Sequence, residues 1–576
     1  MTEYREEDIT GAAGVAQVIA SLEEPVVLGI PGGHMMSVFD ALAAYQGKVR
    51  TLLLREESLA TVMAEALGRL TSQPAVVMGQ GAWVLGNAGI GIMEAHLGSS
   101  PMVILVDATE GGSFSHHGPY QSGYGDYGAY DIVNGFRAIT KRVFVALDPV
   151  QAIQMTQLAV KHAVTGEPGP VAVVFHSRAL SESISSSDRP RLYLDRAYHS
   201  RSPLSPLAGE VGQAAAVLRA SKRPVLIAGN GIRLARADAA LRAFAEQYGI
   251  PVATTAAGKG VFAETHPLAL GVIGSFGNPT ANAAVGDADL ILAVATKLGA
   301  TDTANENPAL IDAHRQKIIQ IDAEPLNAGW TYPVDVQLVS DAVAGLDALA
   351  AEVGSMDADG EARVARLRGQ LGWHSALPVS REDELRPRRV AQILAEEVPP
   401  DSVMTCDAGE NRLFMLHDFT VGEGGTLLQP NAGGGMGYAI PAAMAAALIG
   451  NRPAYAVCGD GGFAMTLHGL MSAVENQLRM TVVVFNNRAL GWVLHGQGNR
   501  PFASTFADFD LAGIAAAMGC TASTVTNEND LRKALKESID SSGTTVIVAR
   551  TTLEDSFLDV ASSLSGRHPE SVDDSQ

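Results

Sequence analysis

The chain predicts an α/β protein built as three doubly wound parallel-sheet domains in series. Three observations carry this. Short apolar runs suited to buried strands alternate with helix-like segments along most of the chain. Two stretches break the alternation: a polar, proline-dotted one at 184–205 and a charged, helix-prone one at 356–388. Finally, 576 residues with 47% apolar and 18% charged content suffice for three or four domains with a large core.

The first block spans 8–185. Its strand candidates are 26–30, 51–54, 75–78, 102–106 and 171–175, with helical patterns after Pro31-Gly32-Gly33 and after Arg55-Glu56-Glu57. The second block, 206–352, contains strand candidates at Pro224–Ala228, 251–255, 290–295 and Lys317–Asp322. The third block, 386–560, begins its strands at 403–406, and the first and third blocks are alike in size and alternation. Residues 563–576 form a polar tail.

Bulk properties exclude several function classes. A formal charge of -21 argues against a nucleic-acid partner, since no basic patch would survive that field. No apolar run reaches the roughly 18 residues a membrane-crossing helix requires, so no membrane partner is expected. The first residues, MTEYREEDITGA, are too acidic and polar for a secretory leader. Cys406, Cys458 and Cys520 lie far apart without metal-ligand spacing. They read as reduced core residues of a cytoplasmic protein.

The most informative stretch runs from Gly459 to Asn487. An apolar run at 454–458 leads into Gly459-Asp460-Gly461-Gly462; a helix-like segment follows at 466–476; a second apolar run at 481–485 delivers Asn486-Asn487. In a parallel sheet both turns fall at the same edge, so Asp460 and Asn487 can meet. Asp460 offers a hard anionic oxygen, Asn487 an amide oxygen, and Ala489 a backbone carbonyl. That oxygen-only set suits magnesium or calcium holding a phosphate. Gly461 and Gly462 let backbone N–H groups approach the anion.

This pairing of GDG with NN at such a distance resembles the cofactor signature of thiamine-diphosphate enzymes. The group meant is the superfamily of acetolactate synthase, pyruvate decarboxylase and benzaldehyde lyase. The resemblance covers nearly the whole chain and implies a pyrimidine-binding, a middle and a diphosphate-binding domain, with thiamine diphosphate and Mg2+ as cofactors. It implies that Glu57, in LLLREESLATVMAEALGR, hydrogen-bonds the aminopyrimidine, while Glu56 stands where many members have histidine. As first-turn carboxylates both glutamates also suit a helix start. Gly433-Gly434-Gly435-Met436-Gly437 resembles the turn that bends the cofactor, with Met436 propping the two rings and the Gly434 carbonyl accepting from the amino group. Gly409, Glu410 and Asn411 match the loop that closes over the diphosphate.

Substrate-facing positions are implied more loosely. His34 follows Gly32-Gly33 where some members, benzaldehyde lyase among them, carry a reactive histidine. Gln80 lies in Gly79-Gln80-Gly81-Ala82-Trp83, which departs from the usual Gly-Pro-Gly loop; with Asn87 this stretch resembles cyclohexane-1,2-dione hydrolase. His116-His117 resembles the histidine pair of pyruvate and indolepyruvate decarboxylases. Trp492 and His495 follow the asparagine pair, where acetolactate-synthase relatives line the substrate pocket.

In acetolactate synthases the middle domain binds FAD. Here the comparable stretch, ATKLGATDTANEN, has no arginine, and Gly229-Asn230-Gly231 is a weak dinucleotide signal; both argue against FAD. The expected activity is cleavage or formation of a carbon–carbon bond beside a carbonyl, foremost 2-oxo acid decarboxylation with carboligation. A simple decarboxylase, and a lyase or hydrolase of a 2-hydroxyketone or diketone, are the alternatives within the family. A non-catalytic relative is the alternative outside it, and the presence of Glu57, Asp460 and Asn487 weighs against it. The expected partners are small carbonyl compounds and further copies of the chain, as a homodimer or homotetramer.

Overall fold

The computed structural model describes residues 8–109, 121–125, 128–188, 190–193, 198, 203–356, 358–373, 377–380 and 383–564. The chain divides into two compact units. One comprises Met1–Ser202, Ala432–Gly435 and Met471–Asn476; the other comprises Pro203–Asn431, Met436–Leu470 and Gln477–Gln576.

The first unit holds a six-stranded parallel sheet: β1 (Val26–Gly29), β2 (Arg50–Leu53), β3 (Ala75–Gly79), β4 (Met102–Asp107), β5 (Arg142–Ala146) and β6 (Pro170–Phe175), in the order β2-β1-β3-β4-β6-β5. Strands β3, β4 and β6 are buried at every residue, as expected when helices cover both faces of a parallel sheet. A short antiparallel pair, Ile9–Thr10 with Ser183–Ile184, joins the ends of this block.

The second unit holds two further six-stranded parallel sheets. The first comprises β7 (Pro224–Ala228), β8 (Val252–Thr254), β9 (Ala269–Val272), β10 (Leu290–Val294), β11 (Lys317–Asp322) and β12 (Val336–Val339), in the order β9-β8-β7-β10-β11-β12. The last comprises β13 (Val403–Cys406), β14 (Thr426–Leu428), β15 (Ala454–Gly459), β16 (Met480–Asn486), β17 (Thr521–Val525) and β18 (Thr544–Arg550), in the order β14-β13-β15-β16-β18-β17. Counted from its own first strand, the last sheet repeats the 2-1-3-4-6-5 order of the first. The middle sheet instead has the 3-2-1-4-5-6 order of a dinucleotide fold. In the last sheet the connections diverge between β13 and β15, opening a crevice at their carboxyl ends, where ligands of such sheets bind.

One local expectation is corrected. The helix after β15 starts at Asp460 and runs to Thr466, and a second covers Gly469–Glu475, in place of one segment at 466–476. Extended Gly459 precedes the helix without a side-chain cap, and Asp460, its first residue, puts a carboxylate in the first turn and accepts the Gly461 N–H. No described helix is long and apolar enough to cross a membrane. All three cysteines are buried and form no disulfide.

Within the second unit a buried ion pair joins the segment after β8 to the segment before β14. Lys259 Nζ donates to both oxygens of Glu264 at 2.6 and 2.7 Å. Glu264 Oε2 accepts the Val421 N–H at 2.8 Å, and the Glu264 N–H donates to the Val421 carbonyl at 2.9 Å. Burial pulls the Lys259 ammonium below its ordinary range, against the pull of Glu264. Removing one partner of such a pair leaves an uncompensated charge inside the protein. Glu264→Ala is therefore expected to destabilise the fold by about 3–5 kcal/mol, read as a lower urea midpoint.

Candidate functional site

The register of the last sheet explains why Asp460 and Asn487 meet. Gly459 on β15 lies opposite Phe485 on β16, so the next residues, Asp460 and Asn486-Asn487, leave adjacent strands at one edge. Strands in a sheet lie about 4.8 Å apart. The turns are stitched by the backbone: Asp460 Oδ2 accepts the Arg488 N–H at 2.6 Å, and Asn487 Oδ1 accepts the Ala489 N–H at 3.0 Å. Asp460 is 8% exposed. Burial pushes its carboxyl up to about 6, although N–H groups of Arg488, Gly461 and Ala489 pull the other way.

A cavity of about 140 Å³ opens at this edge. Gly409, Glu410, Asn411, Met436, Asp460 and Asn487 all line it. Residues named from three separate sequence stretches thus share one wall. Gly459, Gly461, Gly462, Ala489 and Trp492 line it too. A buried carboxylate that forms no ion pair among the described residues, beside an amide oxygen, suits a hard divalent cation. Among the described residues no cluster of three or more His, Cys, Asp or Glu could hold a metal, so a cation here would complete its shell with neutral oxygens, water or phosphate. The donor set fits a metal-bound diphosphate.

Asp407, at the end of β13, organises the cavity floor. It is 1% exposed. Its Oδ1 accepts N–H groups of Ala408 at 2.8 Å and Gly437 at 2.8 Å, with Tyr438 at 3.3 Å, and Oδ2 accepts Gly437 at 3.0 Å. A Cβ on Gly462 would lie 2.4 Å from Asp407 Oδ2. Packing against this carboxylate therefore demands Gly462, in addition to any anion the turn binds. Gly409 sits at φ +112°, which favours glycine, and starts the helix Glu410–Asp418. Asn411 Nδ2 donates to the Asp407 carbonyl at 3.1 Å.

His495 does not face the cavity as an unengaged pocket residue. Its Nδ1 lies 2.7 Å from Glu410 Oε1 and its Nε2 lies 3.1 Å from the Leu553 carbonyl. Trp492 stacks on Phe557, with centroids 5.0 Å apart and planes 7° apart, and meets Phe276 edge-on at 5.8 Å.

The first unit carries a second polar group at the carboxyl edge of its sheet. Glu57 starts the helix Glu57–Thr71, which Glu56 caps by accepting the Ser58 N–H at 2.8 Å. Asn87 Nδ2 donates to Glu57 Oε2 at 3.0 Å. His34 lies in the 3-10 turn Gly33–Met35, and its N–H donates to Asp107 Oδ2 at 2.7 Å. Asp107 Oδ1 accepts the Gly81 N–H at 3.0 Å. This one buried carboxylate thus joins the His34 loop to the Gln80 turn. Gln80 Oε1 accepts the Trp83 indole N–H at 3.1 Å, and its Nε2 donates to Gln121. Gly434, at φ +68°, belongs to the Ala432–Gly435 tetrapeptide of this unit, where Ala432 and Gly433 N–H groups donate to buried Glu94. His116 and His117 lie outside the described residues.

Sequence reading missed the roles of Asp107 and Asp407. Their one shared signal is an aspartate closing a fully buried apolar run, the position Asp460 also takes.

Three family models match the chain in series. A thiamine pyrophosphate enzyme N-terminal TPP binding domain matches residues 9–126, a central domain 211–349, and a C-terminal TPP binding domain 407–549. Among similar proteins is the probable acetolactate synthase large subunit of Methanocaldococcus jannaschii, 28% identical over 92% of this chain and 90% of the relative. The acetolactate synthase large subunit of Corynebacterium glutamicum is 28% identical over 94% of this chain and 86% of its own length. The acetolactate synthase isozyme 1 large subunit of Escherichia coli is 27% identical over 95% and 94%.

The Asp407 carboxyl is pushed up to about 6, chiefly by burial, from about 3.9 in an unfolded chain. The folded state therefore holds this proton more tightly. The resulting stabilisation is present below about pH 4 and is lost as pH rises through about 6. The melting temperature of the wild type, minus that of Asp407→Asn, is expected to fall between pH 4 and pH 7.

Proposed function

Because the chain belongs to the thiamine-pyrophosphate enzyme family, we propose that it catalyses decarboxylation of a 2-oxo acid coupled to carboligation with a second carbonyl compound, as an acetolactate-synthase-like enzyme. The observation that carries the diphosphate half of this reading is the shared cavity of Asp460, Asn487 and Met436. Relatives named as acetolactate synthases over more than nine-tenths of the chain support the reaction class.

Bound thiamine diphosphate supplies a carbon nucleophile at its thiazolium C2 and accommodates the electron pair released beside a carbonyl. The chain's own residues do the rest. Asp460, the Asn487 amide oxygen and the Ala489 carbonyl would hold Mg2+ and, through it, the diphosphate. Gly409, Glu410, Asn411 and the N–H groups at Gly461 and Gly462 surround that anion. Met436 would support the ring system, and the Gly434 carbonyl is the group we assign to accept from the pyrimidine amino group. Glu57 shares a proton with the pyrimidine ring; Asn87 holds its Oε2, which leaves Oε1 as the oxygen we assign to that contact. General acid–base work of this kind contributes about 10²–10⁴ in rate.

His34 and Gln80 are the groups proposed to face the substrate. Asp107 holds the His34 loop and the turn after Gln80 through the His34 and Gly81 N–H groups; a histidine at this loop is the feature that supports a second reading, cleavage of a 2-hydroxyketone or diketone without decarboxylation. Incubation with pyruvate separates the two. Carbon dioxide release with acetolactate formed supports the first; turnover of a diketone alone supports the second; aldehyde without ligation marks a simple decarboxylase.

We propose no flavin in the middle domain. Cβ atoms on Gly229 and Gly231 would lie 2.2 Å from the Ala295 carbonyl oxygen and 2.7 Å from the Ala295 Cβ, so these glycines serve the close approach of two loops. We propose that the protein is cytoplasmic and a homodimer or homotetramer, in which Glu57 of one protomer serves the diphosphate half-site of another. Exposed apolar side chains support self-association: Leu53, Trp83 and Leu97 in the first unit, Met465, Phe502 and Phe509 in the second.

Two outcomes test these assignments. Glu57→Gln is expected to fold with an unchanged melting profile while turnover falls by about 10²–10⁴; near-full turnover removes Glu57 from its role. The purified protein is expected to elute above monomer mass and to lack a flavin band near 450 nm, an order-of-magnitude position set by the flavin chromophore itself.

A further inference from the structure

The His495 ring has an acceptor at each nitrogen. Glu410 Oε1 lies 2.7 Å from Nδ1, and the Leu553 carbonyl lies 3.1 Å from Nε2. The Leu553 carbonyl only accepts, so Nε2 donates to it, and a ring protonated on both nitrogens satisfies both partners. The hydrogen bond from Glu410 holds His495 above its ordinary range, against the effect of burial. Both side chains are nearly sealed, at 6% and 5% exposed.

Glu410 connects this cation to the cavity. Its Oε1 also accepts the Phe557 N–H at 2.8 Å. Its Oε2 packs on the bare Cα of Gly491: a Cβ there would sit 2.4 Å from Oε2 and 3.2 Å from Asn487 Nδ2. One carboxylate therefore contacts the strap after β18 and the helix Gly491–Gly496, whose first residue lies beside the Asn487 side chain. The strap is held a second time by the Trp492–Phe557 stack.

We propose that His495 is a positioning residue for the diphosphate half-site: as a cation donating from both ring nitrogens, it fixes Glu410 in the cavity wall and ties the Leu553–Phe557 strap to the Asn487 turn. This rests on the cofactor reading above. His495 need not touch cofactor or substrate; it acts through Glu410. It also balances the Glu410 charge next to the place where an anionic diphosphate binds, where an unpaired carboxylate would repel it. Loss of such an orienting partner in a metal site typically weakens affinity about 10–100-fold.

The test is a thermodynamic cycle on binding rather than turnover. Thiamine diphosphate with magnesium is titrated into the purified apoprotein, and the fluorescence of Trp492, in the cavity wall, reports occupancy against a Trp492→Phe background. The chains compared are wild type, His495→Gln, Glu410→Gln and the double variant. Apoprotein melting is recorded for each. The expected result is about a 10–100-fold weaker dissociation constant for each single variant, with the double variant no weaker than either single one, because the two side chains act as one unit. A His495→Gln chain that binds like wild type overturns the proposal. So does a double variant whose losses multiply. A wild type that gives no titration at all, by fluorescence or by melting shift, overturns the cofactor reading and this proposal together; a wild type that titrates beside an unaffected His495→Gln overturns the proposal alone.

Discussion

Much of the cavity lined by Asp460 and Asn487 depends on one anion that pairs with no cation among the described residues. The Asp407 carboxylate sits at the end of β13, buried, and is satisfied by backbone N–H groups. Two of those donors, Gly437 and Tyr438, belong to the turn leading away from Met436, so the carboxylate sets where that side chain starts. The same carboxylate occupies the space that a Cβ at residue 462 would need. A hydrogen-bonded buried charge is costly to create and costly to disturb. It makes three segments distant in sequence into one rigid floor before any ligand arrives.

Most of the fold was legible because buried parallel strands read as continuous apolar runs. Interior strands such as β4, β6 and β10 are buried throughout and stand out from composition alone. Strands at sheet edges, β2 apart, do not. Only the last residue of β5 and of β17 is buried, and β12 alternates, so none has the apolar run that marked the others. Edges also explain β9 and β14, which are short. An interior strand, β18, was passed over although all but its last residue is buried; its two leading threonines dilute the apolar signal.

The site divides in the same way. Asp460 and Asn487 could be paired from spacing because one sheet register brings them together. Asp107 and Asp407 have no such spacing. Their partners are backbone N–H groups tens of residues away, which any sequence supplies. His495 was read as a pocket residue from its place after the asparagine pair; its partners Glu410 and Leu553 lie 85 and 58 residues distant. Pairings of that kind depend on tertiary packing and leave no periodic trace.

The repeated strand order of the first and last sheets has a consequence for how such a protein can change. One topology, used twice, presents the same kind of rim with different side chains. One rim carries Asp460 and Asn487, chemistry suited to keeping a charged group in place. The other carries Glu57 together with His34, Gln80 and Asp107, a different set of polar groups. Substitutions that retune the second rim leave the strands and turns of the first untouched. Side chains on the turns of one copy can change without disturbing the buried strands beneath them, so each copy of the scaffold can be retuned alone.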